Sequence, residues 1–75
     1  MCLGVPGKVI ELMDNGMARV DVSENIVEIS VRLTPDVKVG DWVLIHAGFA
    51  MEIISEDLAI ETMEAIEEVE RYARE

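Results

Sequence analysis

Cysteine is nearly missing from this chain: one stands at position 2 and nowhere else in 75 residues. A lone cysteine cannot pair within the chain, so no internal disulfide braces the fold. A domain of this length buries only about 60% of the surface its unfolded chain exposes, and modest stability is expected. Aromatic residues are equally sparse, with one tryptophan, one tyrosine and one phenylalanine, and there is one histidine. The core must therefore come from Val, Ile, Leu, Met and Ala. No apolar run approaches the roughly 18–20 residues that span a bilayer. The opening residues carry neither the basic region nor the long apolar region of a signal peptide. With a free thiol, the expected location is the cytoplasm.

Positive charge is the next shortage. Six basic residues face 16 acidic ones, a net charge of -10. That field opposes binding to nucleic acid phosphates and to anionic membrane surfaces, which require cationic neutralisation. It favours encounter with a basic protein partner. Motifs of catalysis are missing as well. There is no P-loop, no GxGxxG and no supported Ser/His/Asp set, and the spacing of the carboxylates nominates no acid/base pair. A conventional enzyme is not expected.

What is present reads as short strands followed by one helix. Residues 9–13 form an apolar run ending at Asp14-Asn15-Gly16, a strong hairpin signal. Residues 17–22 alternate, with Ala18, Val20 and Val22 on one face and Arg19 and Asp21 on the other. Ser23-Glu24-Asn25 is a second turn. In residues 26–33, Val27, Ile29, Val31 and Leu33 share the inward face. These three strands predict an antiparallel meander. Thr34-Pro35-Asp36 interrupts the pattern. Residues 42–47 then form a nearly all-apolar strand expected to be buried on both faces, Gly48-Phe49-Ala50 bends the chain, and residues 51–54 make a fifth strand.

From Ser55 the period becomes helical. Ser55 is a candidate N-cap, with Glu56 and Asp57 in the first turn. Leu58, Thr62, Ile66, Val69 and Ala73 form an apolar stripe, widened by Ala59 and Met63. Glu67 with Arg71 and Glu70 with Arg74 are spaced as i,i+4 pairs. Eight of the 16 acids lie between Glu56 and Glu75, on the solvent side of this helix. The expectation is one domain over residues 1–75: an N-terminal arm and a small five-stranded β-barrel over 1–54, and an amphipathic C-terminal helix over 55–75.

Few residues are left to carry chemistry. Cys2 reads either as a small buried hydrophobe or as a thiolate that binds a metal. Its small side chain permits removal of Met1, which would add an α-amino donor beside the sulfur. His46 reads either as a histidine satisfied by a backbone carbonyl or as a second ligand or proton carrier near Cys2. One cysteine and one histidine make half of a tetrahedral site, which a partner would complete. Trp42 reads as core, and Phe49, in its glycine bend, as a residue presented to a partner.

Two stretches carry a family resemblance. Met1-Cys2-Leu3-Gly4-Val5-Pro6-Gly7-Lys8-Val9, and Gly40-Asp41-Trp42 followed by Val43 to Ile45, His46, Ala47, Gly48, Phe49 and Ala50, resemble the HypC/HupF family of nickel-iron hydrogenase maturation chaperones. Gly4 departs from the pattern, where alanine is more usual, and is expected to loosen the first strand slightly. The resemblance implies a mainly β, OB-like antiparallel barrel with a C-terminal helix. It implies a scaffold for iron as Fe(CN)2CO, shared with a HypD-type maturation protein and delivered to the precursor of a hydrogenase large subunit. Cys2 carries over as the iron ligand and His46 as a second metal-site residue. Pro6 and Gly7 would fix the point where a movable arm leaves the barrel, at a partner-binding surface with Cys2 and Phe49. The Cys2 sulfur should then be accessible, and the residues before Pro6 held less tightly than the barrel. The competing readings are an acidic OB- or SH3-like interaction module with no metal role and, against the charge, a nucleic-acid-binding barrel.

Overall fold

A computed structural model describes residues 4–73. The strands are β1 (Val5–Leu12), β2 (Met17–Val22), β3 (Asn25–Ser30), β4 (Trp42–His46) and β5 (Phe49–Ile54), followed by α1 (Glu56–Ala73). They close into a barrel in the order β1-β2-β3-β5-β4. The expected meander is present, since β2 pairs antiparallel with both β1 and β3. The sheet is not wholly antiparallel. β3 and β5 run parallel and meet through one pair, Ser30↔Phe49.

Alternation builds the interior. Ala18 and Val20 of β2, Val9 of β1, Ile29 of β3, Val43 of β4 and Ala50 of β5 are all buried. β3 stops at Ser30, three residues short of expectation. Leu33 consequently sits in a turn and is 56% exposed, while Val31, Thr34 and Val37 are buried in the connecting segment. Backbone bonds from Thr34 N–H to the Val31 carbonyl and from Val37 N–H to the Thr34 carbonyl fold that segment tightly. β4 is not buried on both faces. Val43 alone is fully inside, Trp42, Leu44 and Ile45 are half-buried, and His46 is exposed. One face of β4 looks into the barrel, and its other face is only partly covered by α1.

β1 begins four residues before the expected start, because Pro6 and Gly7 lie within a strand. Pro6 pairs with Leu44 and Gly7 with Val43, whereas pairing with β2 starts only at Lys8↔Asp21. The Val9 N–H points to the β4 side, donating to the Asp41 carbonyl. Alternation puts the nitrogen of Pro6 on the opposite side, where β2 has already ended at Val22, so the missing N–H costs no ladder bond. Gly7 is needed for space: a Cβ there would lie 2.4 Å from Val20 Cγ1. Gly4 and Val5 are held as well. Val5 pairs with Ile45, and Gly4 is buried where a Cβ would lie 2.4 Å from Leu44 Cγ. Glycine at position 4 thus meets a demand for space against Leu44, and β1 already runs at Val5, before the expected boundary at Pro6.

The first two turns fall where the sequence reading placed them, and the third is at Ala47-Gly48 in place of the expected Gly48-Phe49-Ala50 bend. Asn15-Gly16 is part of a three-residue loop closed by the Met13 N–H on the Met17 carbonyl, with positive φ at Gly16 only. The two-residue turns with both φ positive are Ser23-Glu24 (49° and 73°) and Ala47-Gly48 (53° and 82°). α1 starts as expected, with the Leu58 N–H donating to Ser55 Oγ at 3.1 Å. It packs on β1 and β4 through Ala59, Thr62, Met63 and Ile66. The outer parts of the expected stripe, Leu58, Val69 and Ala73, are exposed. Both ion pairs among the described residues are made by Arg19, with Glu11 and with Glu28; Glu67 and Arg71 form none.

Candidate functional site

The Ala47-Gly48 turn throws His46 and Phe49 to one end of the barrel as a cross-strand pair. Both side chains are exposed, Phe49 by 42%. β1 arrives at the same end, since its first residue, Val5, lies opposite Ile45, the neighbour of His46. Between these residues and the β2–β3 hairpin opens a largely apolar groove of about 700 Å³. Val5, Ile45, His46 and Ala47 form one wall, and Val22, Asn25, Ile26 and Val27 form the other.

The groove exists because the barrel wall is incomplete there. β3 and β5 touch only at Ser30↔Phe49, so among the described residues the first part of β3 has no strand neighbour on that side. Val27 alternates in phase with buried Ile29 yet stays 37% exposed, and Ile26 is 58% exposed. The sequence reading assigned Val27 to the core and passed over Asn25 and Ile26. Alternation identifies a strand's inward face, but it carries no information about where a sheet fails to close.

A second, smaller cavity of about 230 Å³ lies between α1 and the barrel end. It shares Val5 with the groove, is lined by Pro6, Met63 and Ile66, and carries Glu67 and Glu70. Pro6 and Gly7 are themselves buried within β1, and Pro6 lines this cavity. Trp42, expected in the core, is half-buried beside a polar recess with Lys8, Asp41 and Glu56. Cys2, and with it the expected accessible sulfur, lies outside the described residues. Among the described residues no three His, Cys, Asp or Glu side chains are grouped as a metal site.

Residues 1–66 match the HupF/HypC family. The hydrogenase maturation factor HypC of Synechocystis sp. is 43% identical over 68 residues, covering 84% of this chain and 90% of that protein. The protein of the same name from Helicobacter hepaticus is 43% identical over 70 residues, covering 92% and 81%. That from Escherichia coli is 38% identical over 73 residues, covering 89% and 80%.

Proposed function

The chain belongs to the HupF/HypC family, and from that premise we propose that Cys2 carries iron, as Fe(CN)2CO, between a HypD-type maturation protein and the precursor of a nickel-iron hydrogenase large subunit. The role is that of a hydrogenase maturation chaperone, an accessory factor and not an enzyme. The iron centre is its cargo. A thiolate is a soft donor suited to iron bearing strong-field ligands, and it releases that iron by exchange with another ligand. Cys2 supplies one donor and a partner supplies the rest. The cytoplasm is the proposed place of action; no helix among the described residues is long and apolar enough to cross a membrane.

The observation that carries this reading is the register of β1 on β4. Val5 is opposite Ile45, and the same register taken one step further sets Gly4 opposite His46. Opposed residues in an antiparallel pair lie about 5 Å apart at Cα. Gly4 is fixed against Leu44, and two further residues span at most about 7 Å of chain. On this short chain distance we rest the reading that Cys2 and His46 serve one site. His46 acts there as a second ligand or as the carrier of the proton that a thiol loses on binding metal. Phe49, exposed on the same turn, faces the partner.

The test is infrared spectroscopy of the complex with the HypD-type partner, where iron-bound cyanide and carbon monoxide give bands clear of protein absorption. Cys2→Ala should remove the bands and abolish hydrogenase maturation while leaving the circular dichroism of the barrel unchanged. His46→Ala should weaken them. Maturation at the wild-type level by Cys2→Ala would overturn the proposal and favour an interaction module with no metal role.

A further inference from the structure

β3 presents a row of backbone groups to the groove. Its ladder with β2 begins at Val22↔Asn25, around the two-residue Ser23-Glu24 turn. In such a hairpin the pair flanking the turn is hydrogen-bonded, and the pattern alternates from there. Asn25, Val27 and Ile29 therefore point their N–H and C=O groups at β2. Ile26, Glu28 and Ser30 point theirs away. Ser30 bears out this phase, since its N–H reaches the Gly48 carbonyl at 2.9 Å. Beyond Ser30 the parallel contact with β5 ends. Among the described residues, Ile26 and Glu28 thus offer their donors and acceptors along a free edge. Free edges are usually blunted by proline, lysine, a bulge or a covering loop. β3, Asn25-Ile26-Val27-Glu28-Ile29-Ser30, contains no proline or lysine, and its register with β2 is unbroken.

We propose that this edge is a docking site for an extended segment of a partner protein, added as a strand beside β3, apolar at alternate positions and flanked by basic residues. The backbone of Ile26 and Glu28 supplies the ladder. The groove beside it, bounded by Val22, Val27, Val5 and Ile45, takes the alternate apolar side chains. Its volume of about 700 Å³ lies within the roughly 300–1,000 Å³ typical of ligand sites. Main-chain bonds give affinity in strand addition, and pockets for alternate side chains give selectivity. The basic flanks follow from charge. Glu24 stands at the start of β3, Glu67 and Glu70 line the cavity that shares Val5, and the chain carries a net charge of -10. The site requires neither iron nor Cys2, so its failure and the failure of the metal reading are separate results.

The probe is a short peptide of alternating valine and threonine with two lysines at each end, titrated into the 15N-labelled full chain. The Ile26 and Glu28 amides should shift and gain protection from hydrogen exchange, and binding should weaken as salt rises. In an extended peptide the valine nitrogens face one edge and the threonine nitrogens the other. N-methylation of one set should weaken binding at least about tenfold, the equivalent of one or two hydrogen bonds, while methylation of the other set leaves it unchanged. Ile26→Pro, which removes a donor that the β2 ladder does not use, should cause a similar loss. Exchanging the lysines for glutamates should abolish binding. Affinity weaker than about 1 mM, or equal effects of the two methylations, would overturn the proposal.

Discussion

At the scale of single residues, two glycines at the start of β1 do more for this protein than its larger side chains suggest. Gly7 faces Val20 Cγ1, and a Cβ would also meet Ile45 Cδ1 at 2.9 Å and Val22 Cγ2 at 3.0 Å. Val20 is fully buried and has nowhere to retreat. Gly7→Ala should therefore destabilise the barrel by about 1–3 kcal/mol, the usual cost of overpacking, as read from the urea midpoint. A loss of that size is a large fraction of what a domain this small holds in reserve. The sequence reading took Pro6-Gly7 as the point where an arm leaves the barrel. It could not show that both lie inside the strand, because a proline is excluded from a ladder only on the side where a neighbour needs its N–H.

At the scale of elements, local signals located most of the structure. Alternation found β2 and its inward face, and the serine before the acidic turn found the cap of α1, with Ser55 Oγ accepting from the Leu58 N–H. The groove was less legible, since Val27 and Ile26 owe their exposure to incomplete pairing with β5, two elements further along the chain. The first two turns were placed where they occur, at residues 14–16 and at Ser23-Glu24, but their backbone states were not legible: Ser23 and Glu24 adopt the left-handed conformation that Asn and Gly favour. Two such residues each cost roughly 1 kcal/mol relative to glycine, although part is recovered because glycine makes the unfolded chain freer. Replacing them together, Ser23→Asn with Glu24→Gly, should raise stability by about 1 kcal/mol in equilibrium denaturation, with the fold unchanged.

On the scale of the whole molecule, charge dominates. With 16 acidic and 6 basic residues, self-repulsion works against the compact state. Its only ion pairs among the described residues centre on Arg19 and are half-exposed, so they offset little of it. Raising sodium chloride from about 10 mM to about 150 mM shortens the Debye length from roughly 30 Å to roughly 8 Å and should raise Tm by a few degrees. A Tm that is flat or falls over this range would show that self-repulsion is not a significant cost. The same salt should slow association with any basic partner, since steering by the field is screened together with the repulsion. Net charge and the absence of basic clusters were legible in the sequence. The placing of acids beside the groove was not, because α1 brings Glu67 and Glu70 to the neighbouring cavity that shares Val5.

The single Ser30↔Phe49 bridge has a kinetic meaning. The β1–β4 ladder joins the meander to the β4–β5 hairpin through four pairs, whereas closing the β3–β5 seam is rewarded by very few bonds. Adjacent hairpins gain their contacts more cheaply and should form first, leaving this seam to close late, with a φ-value near zero at Phe49. Late to form in folding, the seam is also the place where the native barrel should open most readily.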